Sequence, residues 1–122
     1  MREGWHEREV DGRCGIPYRA SGREATLTIK RVQGARGLHL LISGPCGLSN
    51  QPLRGSVRMG NLDHRLLVTV DAWVWRSFPL PPGDDETLEV TIVTYEPIVP
   101  DKHLKNGDAR VIGWFVSAVW QE

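Results

Sequence analysis

The stretch Gly107-Asp108-Ala109-Arg110-Val111-Ile112-Gly113-Trp114-Phe115-Val116-Ser117-Ala118-Val119-Trp120 decides the fold. A charged turn runs directly into a long apolar segment, and from Val111 onward apolar residues occupy both parities of an extended chain. A strand of that pattern needs cover from water on both faces, so it reads as a central strand. An interior strand this late in the chain predicts one β-sandwich or barrel that closes at its last strand, with nothing missing after it. Trp114 and Trp120 fall an even number of residues apart, which predicts a shared strand face with Val116 and Ala118 between them, at least one of the two rings lying in the core.

Working outward, the remaining segments also read as strands. Ala25, Leu27 and Ile29 alternate with polar residues, which marks a half-buried strand. Gly37 to Ser43 follows after a Gly34–Gly37 turn and stops at Gly44-Pro45, and the strand-turn-strand order predicts a hairpin between the two. Leu53 to Met59 and His64 to Val70 are separated by Gly60-Asn61 and are expected to pair across that turn. Ala72 to Leu80 and Thr87 to Tyr95 are β-branched and aromatic strands, the first ended by Pro79, Pro81, Pro82 and Gly83. Gly4 to Gly15 is less regular and reads as an edge strand or ordered loop. Pro97 to Asn106 reads as a loop of about ten residues, a length that in a compact domain often carries function. No apolar stripe of helical period occurs, and no repeat or linker divides residues 1–122. The expectation is a single all-β domain: an antiparallel, two-sheet, jelly-roll-like β-sandwich of eight or nine strands.

Composition limits the partners. The 122 residues carry 15 Lys+Arg against 15 Asp+Glu, for a formal net charge of +0. No single-sign field exists to attract a polyanion, so nucleic-acid binding is disfavoured. The longest apolar runs fall far short of the ~20 residues of a membrane helix, and the N-terminus lacks the charged, apolar and small-residue blocks of a signal peptide. A soluble, cytoplasmic chain is expected. Two cysteines, Cys14 and Cys46, either pair or remain free and partly buried, and without a secretion signal the free state is favoured.

No motif for covalent or metal chemistry is present. His6, His39, His64 and His103 show no ligand spacing and read as surface or strand-end residues, so no metal and no cofactor is expected. Gly83-Asp84-Asp85-Glu86 reads as a solvated acidic turn rather than a calcium loop. There is no G-x-S-x-G, P-loop or dinucleotide fingerprint, and so no catalytic residue is assigned. Carboxylates such as Glu7, Glu9, Asp71 or Asp108 could still meet in space for glycoside hydrolysis, which leaves a small glycan hydrolase as an alternative.

The tryptophan content carries more information, with 5 in the chain. Trp73 and Trp75 share a parity, with Val74 on the other. If Val74 faces the core, the two indoles form an exposed shelf suited to the C–H face of a sugar ring; if they face inward, there is no shelf. Asp101, His103, Asp108 and Arg110 gather in and beside the long loop. Asp108 and Arg110 suit an ion pair pinning the loop, while Asp101, His103 and Asp108 could also offer hydrogen bonds to hydroxyl groups.

Gly4-Trp5-His6-x-x-Glu9, Tyr18-Arg19 ahead of Glu24-Ala25-x-Leu27-x-Ile29, Leu38-x-Leu40-x-Ile42, and Pro100 followed by Gly107-Asp108-x-Arg110-x-Ile112-Gly113 run in order along nearly the whole chain. This series resembles the small β-sandwich domains attached to bacterial glycosyltransferases and sugar-pathway methyltransferases. Tyr18-Arg19 departs from the arginine-tryptophan pair usual there. The resemblance implies a non-catalytic, carbohydrate-binding-like accessory role, with an oligosaccharide ligand and possible attachment to a larger transferase polypeptide, and it carries over no active-site residues. Trp73, Trp75, Asp101, His103 and Asp108 are the expected ligand contacts. The competing reading is a structural or dimerisation module without a small ligand.

Overall fold

The computed structural model describes residues 4–12, 14–44, 53–68, 72–83, 85–95, 97 and 111–122. Among them there is no helix, and the strands are β1 (Trp5–Val10), β2 (Pro17–Ser21), β3 (Glu24–Lys30), β4 (Gly37–Ser43), β5 (Leu53–Met59), β6 (Leu62–Val68), β7 (Val74–Pro79), β8 (Thr87–Thr94) and β9 (Phe115–Gln121). They form a 5-stranded sheet in the order β1-β2-β9-β4-β7 and a 4-stranded sheet in the order β3-β8-β5-β6. Each pairing is antiparallel. From β2 onward every connection except β5–β6 passes from one sheet to the other, which is the winding of a jelly roll. β1 extends the larger sheet by one edge strand.

Alternation sets which residues meet between the sheets. Leu38, Leu40 and Ile42 of β4, Val57 and Met59 of β5, and Val90 and Ile92 of β8 all sit in one dry cluster. Burying a side chain of this size favours folding by about 1.5–3 kcal/mol. Trp114 is the largest fully buried side chain, and its indole N–H donates to the Val93 carbonyl at 3.2 Å, so burying the ring strands no donor of its own. Gly55 makes room for this packing. A Cβ on Gly55 would overlap the Val93 carbonyl and lie 2.8 Å from the Trp114 indole nitrogen.

The final strand is central within its sheet, lying between β2 and β4, but the expected cover on both faces is corrected. Its two faces are not equally covered. Ile112, Trp114 and Val116 are buried, whereas Trp120 stands 57% exposed on the other side. The expected shared face of Trp114 and Trp120 is therefore corrected. In the ladder with β4, Leu41 pairs with Ala118 but Ile42 pairs with Val116, so Ser117 is an extra residue and the parity reverses there. Beyond the bulge Val119 packs on the core, and Ala118 and Trp120 face outward.

The expected hairpin between the third and fourth strands is also corrected. β3 pairs with β8 along its whole length, while β4 lies in the other sheet between β9 and β7. The turn at Gly34, with φ 82, carries the chain across the sandwich instead of folding it back. The β5–β6 hairpin forms as expected, with Gly60 at φ 56 in its turn. His39 and His64 sit within strands β4 and β6 rather than at strand ends, and His64 packs against Phe78 with ring centroids 5.5 Å apart. Cys14 is free and exposed, not partly buried; Cys46 lies outside the described residues.

Side chains close the two ends of the sandwich. The Trp5 indole N–H donates to the Thr26 carbonyl at 2.9 Å, tying the edge strand β1 to β3 in the opposite sheet. The Gln121 amide donates to the Lys30 carbonyl at 2.8 Å and accepts from the Val32 N–H at 3.1 Å, tying the end of β9 to the same strand. No helix among the described residues is long and apolar enough to cross a membrane.

Candidate binding face

The outer side of the five-stranded sheet collects the aromatic residues that the core does not use. Val74 packs against the core, so the neighbouring register position on β7 turns Trp75 outward, where it is 51% exposed. Across β4, Trp75 pairs with Leu41 and Leu41 with Ala118; His39 pairs with Ser77 on one side and Trp120 on the other. Trp75 and Trp120 thus stand on either side of β4, two strand spacings apart and offset by two residues. At ~4.8 Å between strands and ~3.3 Å per residue, their backbones are separated by roughly 12 Å.

A polar pair lies between them. His39 Nδ1 and Ser77 Oγ share a hydrogen bond of 2.6 Å, and the His39 ring lies 5.5 Å from that of Trp120. This bond orients the imidazole. The outward register positions of β2, β9, β4 and β7 include no lysine or arginine. Leu41 and Ala118, both half-buried, form the floor between the indoles.

Trp73 behaves differently from Trp75. It precedes β7, is half-buried, and its indole N–H donates to Asp11 Oδ2 at 2.8 Å. Its ring lies 5.6 Å from that of Tyr18, which in turn lies 4.6 Å from Phe115. The expected two-tryptophan shelf is therefore corrected: Trp75 offers an open indole face, while Trp73 is committed to an aromatic cluster anchored on Asp11. Asp101, His103 and Asp108, with the proposed Asp108–Arg110 ion pair, lie outside the described residues, as does Asp71. Of the acidic turn, Gly83, Asp85 and Glu86 are exposed.

The chain matches no family model and no curated protein. Among the described residues no group of three His, Cys, Asp or Glu side chains is placed to hold a metal ion. Sequence reasoning missed Trp120, His39 and Ser77. Trp120 was hidden because the bulge at Ser117 leaves no mark in the residue pattern. His39 and Ser77 are brought together only by β4–β7 pairing, between strands far apart in the chain.

Proposed function

We infer that this domain is a non-catalytic carbohydrate-binding module whose ligand lies across the outer face of the five-stranded sheet. The observation that carries the reading is the pair of exposed indoles, Trp75 and Trp120, set around the hydrogen-bonded His39 and Ser77. Indole faces stack on the apolar face of a sugar ring, and the imidazole and hydroxyl offer donors and acceptors to its hydroxyls. With their backbones roughly 12 Å apart, the indoles suit successive residues of an oligosaccharide better than a single hexose. The lack of lysine or arginine at the outward positions favours an uncharged one.

Stacking with a few solvent-exposed hydrogen bonds yields modest affinity, with dissociation constants on the order of 10 µM to 1 mM. The resemblance to accessory domains of glycosyltransferases and sugar-pathway methyltransferases is what supports assigning the module to a cytoplasmic bacterial polysaccharide or glycoconjugate pathway. A glycan array followed by NMR titration of the domain tests the reading. Saturable shifts of the Trp75 and Trp120 indole N–H signals with a neutral oligosaccharide support it. Absence of binding to any glycan, together with a tight dimer in sedimentation that buries these two rings, would replace it with the dimerisation reading.

A further inference from the structure

A second site, independent of the carbohydrate reading, is set by a juxtaposition of charge on the opposite side of the same sheet. In the β1–β2 ladder Arg8 stands directly opposite Arg19. Like charges at directly opposed positions, with Cβ atoms ~5 Å apart, disfavour strand pairing. Neither guanidinium has a carboxylate partner among the described residues; Arg19 donates to the His6 carbonyl at 3.3 Å, and Arg8 is exposed. The neighbouring carboxylate Glu9 pairs in register with Tyr18 and so belongs to the other face.

The ladder next to this pair is incomplete. β2 pairs with β9 only at Arg19–Val116 and Ala20–Phe115. Past Arg19 the β2 strand continues into Tyr18 and Pro17, and proline has no N–H to offer, while β9 continues into the bulged Ser117. The strands part there, leaving a depression of about 150 Å³ bordered by Arg8, Pro17, Tyr18, Arg19, Val116 and Ser117. It has room for several waters, and hence for a small anionic group.

We propose that this opening is an oxyanion-binding site, in which Arg8 and Arg19 clamp a carboxylate, sulfate or phosphate group and Ser117 lies within the same depression. Two guanidiniums present planar forks that match the oxygens of either a planar or a tetrahedral oxyanion. A bound anion converts the repulsion of the Arg8–Arg19 pair into two favourable contacts, which explains why the sheet tolerates the pair at that position.

The test is NMR titration of the full chain with sodium phosphate, sodium sulfate and sodium acetate, each against sodium chloride at matched ionic strength. The site predicts saturable shifts of the Arg8 and Arg19 side-chain N–H signals and of the Ser117 amide, with half-saturation in the millimolar range. These shifts should weaken at least tenfold in Arg8→Gln and in Arg19→Gln. Saturation by phosphate and sulfate alone identifies a tetrahedral group, and saturation by acetate alone a carboxylate; either outcome supports the site. Linear or absent shifts, or saturation that survives in both variants, would overturn it. Arg8→Glu gives a second readout. Opposite charges then face each other, so the melting temperature in low-salt chloride buffer should rise above that of the unaltered protein while the saturable shifts vanish; a fall would show that the arginines do not repel and would remove the premise. Loss of glycan binding in the carbohydrate experiment would leave all of these outcomes unaffected.

Discussion

Trp114 and Trp120 lie on one continuous stretch of chain, an even number of residues apart, yet they face opposite sides of the sheet: Trp114 is 0% exposed and Trp120 57%. The single extra residue Ser117 between their ladder positions produces the reversal. One indole fills the core and donates to Val93, and the other is released to the outer face beside His39.

The bulge can be tested by asymmetry. In an unbroken strand Val116 and Ala118 would share a face, and an aspartate at either position would cost about the same. With the reversal at Ser117, Val116→Asp buries an unpaired charge and should cost at least about 3 kcal/mol or prevent soluble expression, whereas Ala118→Asp, on the half-buried outer face, should cost about 1 kcal/mol or less. Urea denaturation of the two variants measures the difference; equal losses would argue against the bulge.

Removing the exposed rings should separate binding from stability. Trp75→Ala and Trp120→Ala should each weaken oligosaccharide binding by roughly fivefold to tenfold, about 1 kcal/mol per stacking contact. Stability should fall by only about 1–2 kcal/mol, less than for a core deletion, because about half of each ring is already solvated. Calorimetric titration and thermal melts of the same samples read the two effects, and full affinity in the double variant would refute the face as the binding site.

Close approach of neighbouring groups makes Gly113 and Gly55 irreplaceable. A Cβ on Gly113 would overlap the Thr94 hydroxyl and stand 2.7 Å from the Gly22 carbonyl, and the comparable crowding at Gly55 involves the Trp114 indole. Gly113→Ala and Gly55→Ala should each lose about 3 kcal/mol in chemical denaturation. Gly12→Ala is the control, because nothing lies within 4 Å of its added methyl group. It should stay within about 0.5 kcal/mol of the unaltered protein.

Trp73 is predicted to be structural. Asp11→Ala removes the acceptor of its indole N–H and should destabilise the domain by about 1–2 kcal/mol, with oligosaccharide affinity retained because Trp75 and Trp120 are untouched. A tenfold loss of affinity without loss of stability would instead make Trp73 part of the binding face.

What the sequence determined by itself was local. Alternation at Ala25, Leu27 and Ile29 and at Leu38, Leu40 and Ile42 is a property of the strand's own period, so the strands and their inward faces could be read directly. The apolar run at the end of the chain marked a strand inside the sheet, but the cover it called for on both faces was not realised: β9 has a strand on each side, and its outer face carries the exposed Trp120. The tertiary structure decided everything that depends on which strand meets which. It sent β3 and β4 to different sheets, since a jelly roll winds between its layers and a turn residue such as Gly34 permits either course. It inserted Ser117 as a bulge, which costs a register step that no residue type encodes. It oriented Val74 inward and thereby Trp75 outward, because alternation divides a strand into two sets without saying which set faces the core. The outer face of Trp75, His39, Ser77 and Trp120 is assembled from three strands, and its residues become neighbours only through long-range hydrogen-bonded pairing.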